Sequence, residues 1–388
     1  MDISVPQVYL ENGSVIASAQ FESKTRRDTL WFKVDAAYQD QVVAERGDAF
    51  LVGLLLYAMA QGEDVYINCP VSEKLYYNLS NYLIPALSLA NPKLRPVKIV
   101  PIKLEHTSIN ARNAVGTGFS GGVDSFSTIY SHLVDPRCPA NHRITHLAFF
   151  NVGSHGDVGG EHARALFNER LRVLKGYPLE RGLGYVVIDS NMSDILQLNF
   201  EETHTIRSMA PVLLLQRLFR TYYYSAGLRM DDFKLATWDM ALYDILNTAM
   251  LSTESVDIYS AGCQYTRVEK TAMIAGYEPT WRYLNVCVRG TRNCSSCFKC
   301  MRTLLILDLL GKLQNYGKVF NLSEYKRSKD RYIAQVIADR TNPFNKDIYS
   351  AMKRSGLRVP MVSRLLAYKH VCAAVLRKVL KVVWDGPD

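Results

Sequence analysis

Ala114-Val115-Gly116-Thr117-Gly118-Phe119-Ser120-Gly121-Gly122-Val123-Asp124-Ser125 is the stretch on which the reading of this chain turns. Ala114–Phe119 reads as a short apolar strand and Ser125–Leu133 as a helix, so Ser120–Ser125 is the loop that joins them. Two adjacent glycines let the backbone turn sharply and approach an anion without interference from Cβ. The amides that open the helix then face that anion, aided by the helix dipole, and the hydroxyls of Ser120 and Ser125 add hydrogen bonds. Asp124 is the unusual member, because a carboxylate beside a phosphate is repulsive unless a cation separates them. Its expected role is to hold Mg²⁺ against the pyrophosphate portion of ATP. The loop lacks the Gly-Lys-Ser/Thr ending of a Walker A motif and the Gly-x-Gly-x-x-Gly of dinucleotide sites. The plainer alternative is a tight turn with Asp124 as a helix cap.

Outward from this loop, strands and helices alternate, as expected for a doubly wound parallel sheet of α/β class covered on both faces. Strands are expected over 145–151, 185–189, 234–237 and 256–259, with helices over 160–174 and 205–226. Residues 1–110 read as a separate N-terminal α/β unit, with strands over 15–21, 29–34 and 65–68 and helices over 49–60 and 72–89. Prolines 92, 96 and 101 and the polar run His106–Asn113 mark its end. Residues 111–311 form the central domain. Residues 312–388 read as a basic helical region, broken near Pro343 and Pro360.

Apolar residues make up 48% and charged residues 21% of the 388 residues, which suits a globular chain and excludes a disordered one. No apolar run is long enough to span a bilayer, and the N-terminus carries no secretion signal, so the expected location is the cytoplasm. The formal charge of +9 is concentrated at the C-terminal end, where residues 312–388 hold 16 Lys and Arg against 6 Asp and Glu. Such a region suits a protein partner, nucleic acid or an anionic membrane surface, or is a solvated helical face.

Of eight cysteines, Cys287, Cys294, Cys297 and Cys300 fall within 14 residues. In a cytosolic chain this clustering points to metal, not to disulfides. Four thiolates at such spacing suit tetrahedral Zn²⁺, with an iron–sulfur cluster as the alternative. Lys299, Arg302, Arg289 and Arg292 are expected to offset the thiolate charge, and a helix is expected to start near Lys299. A closed four-thiolate site has no open coordination position, so its expected role is structural.

Ser-Gly-Gly-Val-Asp-Ser resembles the pyrophosphate loop of the N-type ATP pyrophosphatases, a superfamily that includes GMP synthetase, NAD synthetase, asparagine synthetase and tRNA-thiolating enzymes. The four-cysteine cluster is most similar to that of 7-cyano-7-deazaguanine synthase within the superfamily, and the resemblance covers roughly residues 114–311. It implies a Rossmann-like, adenine nucleotide alpha hydrolase-like fold with ATP at the carboxyl ends of the strands. It also implies a ligase that adenylates a carboxyl or amide oxygen, releases pyrophosphate and then forms a C–N bond. On this reading Ser120, Gly121, Gly122, Val123, Asp124 and Ser125 bind ATP and Mg²⁺. Arg267, with Lys270 beside it in Thr266-Arg267-Val268-Glu269-Lys270, clamps the phosphates; the alternative is a solvated first turn of a helix. The catalytic set is Asp124, Ser125 and Arg267, and the metal set is the four cysteines.

The acceptor is expected to be a small molecule or a macromolecule, and the added ends favour a specialised modification pathway. Two other functions are compatible with the residues: sulfur transfer to tRNA, and a non-catalytic nucleotide-binding subunit. A homodimer is left open. Further candidates are His204 at the start of a helix, Asp239 after a strand, and the segment Asn151–Asp157 with Gly153, Ser154 and His155. Each has an ordinary reading as a cap, surface or loop residue.

Overall fold

A computed structural model describes residues 1–156, 158–369 and 371–372. Eleven strands among the described residues form one sheet: β1 (Asp2–Ile3), β2 (Gln7–Glu11), β3 (Ser14–Glu22), β4 (Arg27–Asp35), β5 (Val65–Ser72), β6 (Ile99–Glu105), β7 (Ala114–Gly118), β8 (His146–Asn151), β9 (Gly184–Ser190), β10 (Phe219–Ser225) and β11 (Asp257–Ala261). Their order is β11-β10-β7-β8-β9-β4-β3-β1-β5-β6, with β2 paired to β3. Strands β7 to β11 are all parallel. Numbered from β7 as the first, this block runs 3-2-1-4-5, the doubly wound order whose switch point lies between the first and fourth strands. Phe119 and Ser120 leave β7 at that point, and Phe119 N–H donates to the carbonyl of Ala148 just beyond it (2.8 Å).

The sheet does not stop near residue 110. Strand β4 runs antiparallel to β9, with Phe32 opposite Ser190 and Val34 opposite Ile188. Leu30, Phe32 and Val34 alternate inward on β4 and are buried. This pairing removes the open edge that β9 would otherwise present. The chain forms two compact units. One is Met1–Ser120 with Thr128–Gln264 and contains the whole sheet; the other is Gly121–Ser127 with the chain from Tyr265 onward.

In the first unit, helix α1 (Asp48–Gln61) is buried from Asp48 to Met59 on every side, and Gly62, in the left-handed region (φ 68°), ends it. The loop helix α2 (Val123–Ile129) follows Gly122, and α3 (Gly160–Leu174) follows β8. Helix α4 (His204–Leu214) lies against α1. Gly53 permits close packing, since a Cβ there would stand 2.8 Å from Leu30 Cδ2 and 3.7 Å from Ala210 Cβ.

Two expected elements are corrected. The helix expected over 205–226 ends at Leu214, and Phe219–Ser225 is strand β10. The run Phe219-Arg220-Thr221-Tyr222-Tyr223-Tyr224 consists largely of aromatic and β-branched residues, which favour a pleated, half-buried surface. It fills the slot between β7 and β11, where Gly116 leaves room for the rings of Phe219 and Tyr222. The strand expected over 234–237 is irregular chain, because both sides of β10 are already taken.

Asp48 ties α1 to the rest of this unit. Its Oδ1 accepts from Ser72 N–H and its Oδ2 from Gln216 Nε2, both at 2.8 Å; Gln216 in turn accepts from Thr253 Oγ1 at 2.6 Å. Burial pushes the Asp48 carboxyl up to about 6, against the lowering effect of its hydrogen bonds to Gln216 and Ser72. Since its folded value is raised, the native state holds the proton more tightly than the unfolded chain, and stability falls as pH rises through that range. In urea unfolding across pH 4 to 7 the wild type is therefore expected to lose up to roughly 3 kcal/mol relative to Asp48→Asn. A pH-independent difference between the two would refute this assignment.

Candidate active site and metal centre

The second unit opens with helix α6 (Arg267–Ile274); between α4 and α6 lies α5 (Asp244–Met250) of the first unit. Thr266 caps α6 through a capping box: its Oγ1 accepts from Glu269 N–H (3.2 Å), and Glu269 Oε2 accepts from Thr266 N–H (2.7 Å). This reciprocal pair fixes the first turn, so Arg267 and Lys270, three residues apart, project from one face. They are not a solvated turn. The Arg267 side chain is 8% exposed and that of Lys270 1% exposed.

Both meet the glycine loop. Arg267 Nη2 lies 2.7 Å from Asp124 Oδ2, and Lys270 Nζ 3.3 Å from Asp124 Oδ1, one cation for each carboxylate oxygen. Gly121, at φ 72°, takes a backbone conformation that favours glycine, and its carbonyl accepts from Asn285 N–H at 2.7 Å. Ser125 Oγ donates to Gly122 O (3.1 Å) and Ser127 Oγ to Asp124 O (2.8 Å), so hydroxyls brace the turn. Val123 and Ser125 are buried. Burial pushes the Asp124 carboxyl up, but the charges of Arg267 and Lys270, a hydrogen bond from Arg267 and the charge of Arg302 together hold it below the ordinary carboxylate range.

Arg302 has a second setting that sequence reasoning did not foresee, beside the charge of Cys297. It was expected as a counter-charge to the thiolates. It lies on α7 (Phe298–Leu309) and is buried; its guanidinium carbon stands 3.9 Å from the centroid of the Phe344 ring, which Arg267 also approaches at 5.4 Å. The buried Nε of Arg302 has no hydrogen-bond partner among the described residues. Burial, reinforced by the charge of Arg267, pushes Arg302 down to about 9, against the opposing pull of Tyr332, Asp124 and Cys297. Arg267 and Lys270 thus pair with Asp124, while Arg302 feels the charge of Asp124 and is repelled by Arg267. Phe344 belongs to α9 (Pro343–Arg354), which follows α8 (Leu322–Ala338). The basic C-terminal region therefore contributes to this site, which its composition did not reveal. The part of that region in residues 373–388 lies outside the described residues.

Helix α7 also carries two of the four cysteines of the candidate metal centre. Cys297 is its N-cap and Cys300 stands in its first turn, and the Sγ atoms of Cys287, Cys294, Cys297 and Cys300 all lie within 4.8 Å of one another. Cys287 Sγ and Cys297 Sγ are 4.0 Å apart, close to the ~3.8 Å edge of a tetrahedron with metal–sulfur bonds of ~2.3 Å and far beyond a disulfide bond. Backbone amides point at the sulfurs: Arg289 N–H to Cys287 Sγ at 3.4 Å and Cys297 N–H to Cys294 Sγ at 3.2 Å. Ser295 takes a left-handed conformation (φ 60°) to make that turn, and its Oγ accepts from Asn321 N–H at 2.9 Å. Asn293 braces the loop through Leu284 O (2.8 Å) and Val319 O (3.1 Å). Four thiols this close cannot all ionise without a cation: the hydrogen bond shared with Cys300 holds Cys297 well below the usual thiol range and drives Cys300 above it. The donor set fits, and the four cysteines can hold a metal ion such as zinc.

In the first unit, two separate candidates come together. His204 Nδ1 lies 2.5 Å from Tyr224 Oη, and its Nε2 lies 3.4 Å from Asp239 Oδ1. Thr205 Oγ1 hydrogen-bonds Asp244, a buried acid that the sequence did not single out. Burial pushes the imidazole down, but Asp244, Asp239 and Glu201 outweigh it and hold His204 above its ordinary value. Tyr224 lies at the carboxyl end of β10, so this cluster stands at the end of the sheet where open α/β sheets bind ligands. His155 is different. It packs between Phe149 and Phe167, burial drives it down to about 3, and it is a neutral core residue. Asn151 Nδ2 donates to Asp189 Oδ1 at 2.7 Å, Gly153 packs against Phe200 and Arg207, and Asp157 lies outside the described residues.

No protein-family model, no curated protein and no solved structure matches the chain. No helix among the described residues is long and apolar enough to cross a membrane.

The cysteine geometry has a direct consequence. Removing the metal, or replacing Cys297 by Ser, is expected to abolish stoichiometric metal content and lower the melting temperature by about 10 °C or more. Elemental analysis and calorimetry of the full chain check this; an unchanged melting temperature after complete metal loss would show that the cluster does not staple the fold.

Proposed function

We propose that this chain is an ATP-dependent ligase of the N-type ATP pyrophosphatase kind, which adenylates a carboxyl or amide oxygen, releases pyrophosphate and forms a C–N bond. The observation that carries this reading is the convergence of Arg267, Lys270 and Arg302 on Asp124 in a Gly-Gly loop. Arg302 is buried, and its Nε has no hydrogen-bond partner among the described residues. Three buried cations share the single carboxylate charge of Asp124, an excess of positive charge that is costly to bury and that a polyphosphate would neutralise. Arginine suits this task because its fork of donors matches phosphate oxygens.

ATP would supply the electrophilic phosphorus and the pyrophosphate leaving group, and Asp124 would hold the Mg²⁺ that offsets their charge. The residues of the chain do the rest by exchanging partners. With no anion bound, Asp124 pairs with Arg267 and Lys270. When polyphosphate enters, these two cations and Arg302 turn to its oxygens, and the Asp124 carboxylate becomes free to hold the divalent cation. The cations then stabilise the charge that grows on pyrophosphate as it leaves. Phe344 holds the Arg267 and Arg302 planes in place and keeps water from their faces. The zinc expected on the four cysteines is structural in this reading: it fixes the first turn of α7 and so the position of Arg302.

Binding of Mg²⁺–ATP by calorimetry tests this reading, together with the identity of the products formed by slow turnover without acceptor. AMP and pyrophosphate are expected, and Arg267→Ala is expected to weaken binding tenfold or more while metal content stays intact. ADP and phosphate as products, or no ATP binding by correctly folded protein, would sink the proposal.

A further inference from the structure

The C-terminal helix α10, residues 361–369, wears its amphipathic character inverted. Its inward face is made of small residues: Ser363 is fully buried, with its Oγ donating to Asp330 Oδ1 of α8 at 3.2 Å, and Ala367 is 4% exposed. Of its large apolar residues Leu366 is half-buried, and the others face outward. Met361 is 77% exposed, Leu365 61% and Tyr368 73%, and Val362 and Val371 are exposed beside them. Residues 361, 365 and 368 recur at helical spacing, so they form one stripe and not scattered surface residues. A helix that serves only to cover its own domain would turn this stripe inward.

Charge identifies what the stripe meets. Between residues 348 and 384 the chain carries eight Lys and Arg (Lys353, Arg354, Arg358, Arg364, Lys369, Arg377, Lys378, Lys381) and no Asp or Glu. Lys353, Arg354, Arg358, Arg364 and Lys369 are exposed. Aliphatic side chains flanked by cations match a bilayer interface, where the apolar face enters the acyl boundary and Lys and Arg meet anionic headgroups. Nucleic acid would use the cations but has little use for an exposed Met, Val and Leu stripe, since single strands are held by stacking on aromatic rings. We propose that α10 is a peripheral docking surface for an anionic membrane leaflet, which it lies upon and does not cross. This inference is independent of the chemistry at Asp124.

Co-sedimentation of the full chain with vesicles tests it. The protein is expected to bind phosphatidylcholine vesicles containing about a third phosphatidylserine and to ignore pure phosphatidylcholine, with binding falling steeply as salt rises. The pair Leu365→Glu and Tyr368→Glu is expected to lower vesicle affinity at least tenfold. The pair Arg364→Gln and Lys369→Gln, which leaves the apolar stripe intact, is expected to lower it by a smaller factor. Circular dichroism and metal content, unchanged in both, separate lost docking from lost folding. Three results would overturn the proposal: no binding to anionic vesicles, equal binding to neutral ones, or single-stranded RNA that binds the chain and displaces it from vesicles irrespective of Leu365→Glu. Self-association abolished by the first pair, with vesicle binding unchanged, would likewise overturn it in favour of a dimer interface.

Discussion

The ion cluster at Asp124 is the constraint on which this account rests. One carboxylate accepts from Arg267 at 2.7 Å and Lys270 at 3.3 Å, while Arg302 stands nearby, stacked on Phe344. Exposed ion pairs contribute little to stability, but these cations are buried, and removing one partner from such a cluster leaves the others unneutralised. The arrangement is therefore poised more than it is stable. It holds cationic groups in place at a cost, and in the proposed function an incoming anion would relieve that cost and meet a preorganised site.

The cluster is held by a second constraint that has no charge transfer of its own. Helix α7 has Cys297 as its N-cap, Cys300 in the first turn and Arg302 two residues further. A metal tying Cys297 and Cys300 to Cys287 and Cys294 fixes the start of this helix, and through it the backbone that presents Arg302. The capping box of Thr266 and Glu269 does the same for Arg267 and Lys270. Two helix starts, one that a metal on the cysteines would staple and one held by a side-chain cap, thus bear on the cation geometry around Asp124.

Much of this was legible in the sequence because it depends on local chemistry. The glycine loop, the four cysteines and the pairing of Arg267 with Lys270 all follow from short-range spacing, as do β3, β4, β8 and β9 and helices α1 and α3. What was not legible depends on distant partners. Strand β10 reads as the end of a long helix until β7 and β11 are seen on either side of it. The first 110 residues read as a separate unit because nothing in β4 announces that it will pair with β9. Arg302 lies two residues from Cys300, so sequence proximity assigned it to the thiolates. Phe344 sits in a basic region with no motif, and only the fold brings it to the guanidiniums. His204 and Asp239 were each weak candidates alone; a distance of 3.4 Å between them is information that no spacing rule contains.

Titration of inorganic pyrophosphate into the metal-loaded full chain, wild type against Arg302→Met, tests the central claim most directly. Methionine keeps the bulk against Phe344 but removes the charge. The account predicts that wild type binds pyrophosphate and that Arg302→Met binds it about tenfold to a hundredfold more weakly, with metal content and melting temperature retained. Equal affinity in the two proteins would contradict it, because the buried cation would then have no anion to meet.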